Sequence, residues 1–281
     1  MDVVAKQITV TKITALFVVL MSARLSGAQP SPQTLQAFDA YVAQAEARIA
    51  HKRGSKTMFL SLDLLSAEKR SEIVNRLKSG EIVIERQGND RPGNGKQEDA
   101  PAETPGGLIH DWSGVVFIPG ATIGQVLAVV QDYDHMTRYY APDVMQSRLI
   151  SRSGDDMRVF MRMRKHKVIT VVLDTEYDVH YGRIDAAHQF SSSRSTRVTE
   201  VADADAGSER AAGQDHGFMW KLNSYWAFEQ ADGGVYVECE AISLTRDIPA
   251  GLGWLVGPFI SSIPRESLEF TLSRTKAAFA Q

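Results

Sequence analysis

Residues 168–181 read VITVVLDTEYDVHY. Ile169, Val171, Leu173, Thr175, Tyr177, Val179 and Tyr181 fall on one parity, and Asp174, Glu176, Asp178 and His180 on the other. A period of two over that length is a strand with a dry and a wet face. It commits the chain to a sheet whose apolar side needs a cover. Further segments of the same kind lie at 110–120, 157–165, 190–201, 222–230 and 235–244, and Asp232-Gly233-Gly234 separates the last two as a hairpin turn. From 157 onwards the strands follow one another with no helical period between them, so the sheet should be antiparallel. The cover is a helix over 264–279, with the stripe Leu268, Leu272, Thr275 and Phe279 and a proline in its first turn.

Face parity assigns roles. Arg158, Arg162 and Arg164 alternate like the acidic set of 174–180. The two sets should pair across strands on a solvated outer face, at roughly 0.2–1 kcal/mol per pair, rather than build a carboxylate active site. Val235, Val237, Cys239 and Ala241 share one face with Glu238 and Glu240 opposite, which makes Cys239 a small core or cavity-wall residue. Trp226 and Phe228 share a face, and Tyr177, Met161 and Met163 join them if the sheet closes. An aromatic and methionine-rich wall suits an adaptable apolar site. Residues 251–260, GLGWLVGPFI, add Leu252, Trp254, Leu255 and Phe259 in a frame of three glycines and a proline. The run is too short to span a bilayer and too interrupted for a regular element. It is expected to be an irregular apolar loop beside a cavity.

Before the sheet, Leu35, Phe38, Val42, Ala45 and Ile49 recur at helical spacing over 33–51. A second helix is expected over 67–78, with Ser66 as N-cap and Gly80 just past its end, then a short strand at 81–85. Residues 87–107 are Gly, Pro, Asn and acidic residues without a large apolar one, which predicts a flexible linker between an α-rich region (31–86) and a main domain (108–281). After the strand at 110–120 a single helix is expected over 121–140, ended by Pro142.

Residues 1–28 read as a signal peptide: Lys6 and Lys12, the apolar run ITALFVVLM at 13–21, then Ser26-Gly27-Ala28. The expectation is an exported protein, periplasmic or secreted, that starts near Gln29. The single cysteine fits a bacterial route. A net charge of -3 gives no basic field for nucleic acid. No Gly-x-Ser-x-Gly, His-Glu-x-x-His or paired-cysteine motif is present, so no cofactor or metal is expected.

The C-terminal two thirds, about 107–280, resemble the START/polyketide-cyclase superfamily, which has the helix-grip, Bet v 1-like fold. The resemblance rests on the strand Val115-Val116-Phe117-Ile118-Pro119 leading into a helix, and on DYDHMTRYYAP at 132–142. It rests also on the final strand VYVECE at 235–240, followed by a loop and a long helix. It implies an α+β fold, a curved antiparallel sheet wrapped around the C-terminal helix, with a cavity between them. Members bind lipids, sterols, quinones, polyketides or plant hormones, and some are cyclases. The leading expectation is binding or transport of an apolar small molecule or lipid, with Tyr133, Tyr139, Tyr177, Trp226, Cys239, Trp254 and Phe259 as ligand contacts. Two alternatives stand beside it. One is a cyclase- or dehydratase-type enzyme that uses the His135, Asp132 and Asp134 cluster. The other is an envelope module that touches a membrane or partner through 251–260.

Overall fold

A computed structural model describes residues 29–55, 58–87, 104–166, 170–203, 208–209, 215–247 and 253–280; of 203, 208 and 253–261 it gives the backbone. The signal-peptide reading, most of the linker and residues 168–169 lie outside this set.

One antiparallel sheet dominates, in the order β1-β2-β9-β8-β6-β5-β4-β3, with β7 paired to β6. The strands are β1 (Val83–Arg86), β2 (Gly107–Pro119), β3 (Val144–Ser153), β4 (Asp156–His166), β5 (Thr170–Arg183), β6 (His188–Asp203), β7 (Ser208–Glu209), β8 (Lys221–Ala231) and β9 (Gly234–Arg246). Asp232 (φ 54°) and Gly233 (φ 74°) form the two-residue turn between β8 and β9, where Ala231 faces Gly234. Positive φ at both positions is what such a turn requires. In β6 the register slips by one residue between the Glu176–Arg197 and Tyr177–Ser195 pairs. A bulge of this kind bends a strand and helps the sheet to curl.

Helix α1 (Pro32–Gly54) starts at Ser31, whose Oγ accepts from the Thr34 N–H at 3.1 Å. Helix α2 (Ala67–Lys78) has Ser66 as its N-cap, and Gly80 at φ 106° follows its end. The N-terminal segment belongs to the sheet's architecture. Strand β1 pairs with β2, and the buried face of α1 (Phe38, Val42, Ala45, Ile49) packs on Tyr225, Ile242 and Leu244 of the convex face. Phe59, Leu60, Leu62 and Leu77 cover Val115, Phe117 and Tyr236 on the same side. The segment 87–107 therefore joins two neighbouring strands of one sheet.

Three expectations need correction. The helix over 121–140 is broken into α3 (Ile123–Val130), a 3₁₀ turn (Tyr133–His135) and α4 (Met136–Tyr140). Asp132 at ψ 59° leaves helical space there. The break lets Tyr133, Met136 and Tyr140 all reach the interior, where each is buried. Second, 251–260 is not an irregular loop throughout: helix α5 runs from Gly253 to Ala277. Pro258 and Pro264 each remove one backbone donor, and the helix continues through both. Third, the outer face, expected to be solvated at the acidic set of 174–180, is dry in places. Glu238 and Glu240 are 4% and 3% exposed beneath α1. The pairing of the arginines with the acidic set is seen: Arg162 meets Asp174 with two bonds of 2.7 Å, and Arg158 reaches Glu176 at 3.1 Å. Asp174, however, is buried.

Helix α5 lies across the concave face and packs on β2 and β9. Leu272 sits over Gly114, where a Cβ would come within 2.6 Å of its Cδ1. The last turns are tied down by polar contacts. Thr275 meets the Tyr140 hydroxyl at 2.9 Å, the Arg274 Nε donates to the Tyr139 carbonyl at 2.7 Å, and the Lys276 Nζ donates to the Gly80 carbonyl at 2.8 Å. This is the helix-grip arrangement expected from the sequence.

Candidate functional site

The concave face can be read in rows across the sheet. One row runs Tyr181, Ser191, Trp226, Cys239 and Gly114; the next Val179, Ser193, Ser224, Ala241 and Trp112. A third holds Tyr177, Ser195, Leu222, Ser243 and His110, with Ser195 joined to β8 through the Leu222 N–H at 3.0 Å. Strand β6 contributes a serine to each row, whereas β8 contributes Trp226, Ser224 and Leu222. Among the described residues, α5 packs mainly on β2 and β9. Met161, Met163, Leu222 and Trp226 point inward against the core and remain only half-buried.

The candidate ligand contacts fall into three groups. Tyr133, Tyr177 and Cys239 are buried in the main core. The Tyr133 hydroxyl meets that of Tyr181 at 2.7 Å, and Tyr181 donates to the Val130 carbonyl at 3.2 Å. Burial pushes the Tyr133 and Tyr177 phenols up to about 12 and the Cys239 thiol well above its usual value. None of the three is an acid, base or nucleophile near neutral pH. Trp226 and Tyr139 are half-buried; the Trp226 ring lies parallel to Phe228 with centroids 6.1 Å apart, and the Tyr139 hydroxyl donates to Asp132 at 3.3 Å. The side chains of Trp254 and Phe259 lie outside the described residues.

The His135, Asp132 and Asp134 side chains make local contacts. His135 Nδ1 lies 2.7 Å from Asp132 at the surface, and Asp134 accepts the Leu149 N–H at 2.9 Å. Buried Glu200 accepts the N–H groups of His216, Gly217 and Phe218 at 2.9, 3.0 and 3.1 Å, which pins that segment to β6. Among the described residues no three His, Cys, Asp or Glu side chains could hold a metal ion. On the convex side, a recess of about 10 Å³ lies between α1 and β8–β9. That is room for one water molecule.

His110 was not singled out by sequence reasoning. It sits on the concave face at 5% exposure, with Nε2 3.1 Å from the Thr245 hydroxyl. Burial, and secondarily Arg86, lower its pKa to about 4. Its unfolded value is about 6.5. The unfolded chain thus takes up a proton first as the pH falls, so stability is full above about 6.5 and drains towards pH 4. Lowering the pH from 7 to 5 should cost about 2 kcal/mol through this residue. Urea unfolding at both pH values should show that loss, and it should vanish in His110→Gln.

No family model matches the chain, and no curated protein matches it. Solved structures do. A STAR-related lipid transfer protein from Xanthomonas axonopodis has 18% identity and a TM-score of 0.41, over 64% of this chain and 97% of that one. A START superfamily protein from Mycobacterium smegmatis has 10% identity and a TM-score of 0.41, over 61% and 97%. The Zhui aromatase/cyclase from Streptomyces sp. R1128 has 10% identity and a TM-score of 0.40, over 61% and 94%. With identities of 10–18% and TM-scores of 0.40–0.41, these are likenesses only, and the helix-grip description rests on this chain's own sheet and α5.

Proposed function

We propose that the protein binds or carries an apolar small molecule or lipid between the concave face of the sheet and α5. One observation carries this reading. Met161, Met163, Leu222 and Trp226 face inward yet stay half-buried. Large apolar groups on a concave face that pack on the core and are still only partly buried suit an apolar ligand. We place the entrance at 251–260 on the strength of its sequence, and the protein in the envelope or outside it on that of residues 1–28.

The test is native mass spectrometry, with solvent extraction, of full-length protein purified from the envelope of its own host. A co-purifying apolar molecule at stoichiometric level is expected, on a chain that starts near Gln29. An empty protein that also excludes apolar dyes overturns the binding reading. A retained Met1 overturns the export reading.

A further inference from the structure

Helix α1 begins close behind Gln29. Gln29 is exposed and belongs to no helix or strand, Pro30 is half-buried, and Ser31 is already the N-cap. The Ser31 and Thr34 hydroxyls meet at 2.7 Å, and Thr34 donates to the Pro105 carbonyl at 2.5 Å, just ahead of β2. We propose that Gln29 is a modification site: as the first residue of the exported chain it closes on itself to pyroglutamate, and the mature protein carries a blocked, uncharged N-terminus. This inference rests on the export reading above and deepens it.

The step needs nothing but the residue itself. The α-amino nitrogen attacks the side-chain carboxamide carbon and a five-membered lactam forms. The bond from Cδ to Nε2 breaks, and the proton given up by the amine leaves with that nitrogen as ammonia. Nothing is oxidised or reduced, and no co-reactant is consumed. Nucleophile and electrophile lie within one residue, and such intramolecular pairs react at very high effective concentration. The attacking form is the neutral amine. An α-amine titrates at about 7.7–8.0, so part of the population is in that form at neutral pH.

The fold favours the change. The start of a helix carries partial positive charge, and α1 has no acidic residue in its first turn to offset it. An ammonium just ahead of such an end is disfavoured, which favours both the attacking amine and the uncharged product. Exposure and order also divide at the right place. The Gln29 side chain is at the surface, where it can turn back on its own amine, whereas from Ser31 onwards the chain is held by the cap and by the Pro105 contact. The ring therefore disturbs neither the cap nor the helix. A blocked end also guards that cap. Trimming by an exopeptidase through Thr34 would remove both hydroxyls, and with them the tie between α1 and the chain entering β2.

The test is mass spectrometry of full-length protein freshly purified from the envelope of its own host. Intact mass is read first. Free amines are then reductively methylated before trypsin, and the peptide 29–48, which ends at Arg48, is sequenced by tandem mass spectrometry. The expected result is a chain from Gln29 that is lighter by one ammonia and unmethylated at its first residue. In Gln29→Asn, whose side chain is too short for this ring, the ammonia should be retained and the terminus methylated. A wild-type chain from Gln29 at full mass with a methylated amine overturns the ring and leaves export standing. A Gln29→Asn chain that is also lighter by one ammonia overturns the assignment to Gln29. A retained Met1, or a start at any other residue, overturns export and ring together.

Discussion

Lys52→Met is expected to lower the stability of the protein by about 3–5 kcal/mol, the range for breaking a buried pair by removing one partner. Lys52 comes from α1 and Glu238 from β9, and their charged atoms meet at 2.8 Å with side chains 6% and 5% exposed. The second Glu238 oxygen accepts the Ser61 N–H at 2.5 Å. Two residues on, Glu240 holds Arg48 through bonds of 3.0 and 2.7 Å, and Asp111 accepts from Tyr41 at 2.8 Å. Three carboxylates thus lie under one helix. Arg48, at 42% side-chain exposure, is screened by water and cannot compensate for both glutamates. Without Lys52 the Glu238 charge stays buried with too little to balance it. Urea midpoints should fall accordingly. The double variant Lys52→Met/Glu238→Gln should recover much of the loss, because both charges leave together. A single-variant loss below about 1 kcal/mol would show that the pair does not hold α1 to the sheet.

The second large effect concerns the gripping helix. Leu272 is fully buried in the main core, and its Cδ1 occupies the space that a side chain at position 114 would need. Leu272→Ala should cost about 2–5 kcal/mol as a cavity-forming change. Gly114→Ala should cost about 1–3 kcal/mol for the opposite reason, an atom forced to within 2.6 Å of another. The informative measurement is the double variant. Methyl and void are complementary, so the two losses should fall short of adding by about 1 kcal/mol or more. Strict additivity by chemical denaturation would mean that the helix sits elsewhere in solution.

Much of this architecture is written in the period-two runs. TVVLDTEYDVHY (170–181), the Asp-Gly turn and the caps Ser66 and Gly80 are local signals, and each appears where the residues place it. Strand β3 was missed for a physical reason. As an edge strand it reads QSRLISRS, with its alternation carried mostly by polar side chains exposed to water. The helix breaks misled in both directions. Asp132 interrupts a helix that apolar spacing would continue, whereas Pro258 and Pro264 do not stop one that local rules would end. Burial on both faces of the sheet was the hardest feature to read. Glu238 and Glu240 look solvated by parity, and only the docking of α1, far away in sequence, makes them internal. Of the concave face, the apolar part was legible through Trp226, Met161 and Met163. The serine rows were not, since hydroxyl residues in a strand look outward until the β5–β6 register pairs Ser193 with Val179 and Ser195 with Tyr177.

The pairing of β2 with β9 governs how this chain comes to be folded. Gly107 meets Arg246 and Pro119 meets Gly234, so one of the first strands made is held by the last. Everything from Gly107 to Arg246 has to be available before the long central ladder can zip fully, and the loop to be closed is long. Such topologies fold slowly, because closure entropy is met before the distant contacts return anything. A nascent chain that ends before Gly234 leaves β2 without that partner. For this chain, then, the central ladder cannot form until residues 234–246 have been made.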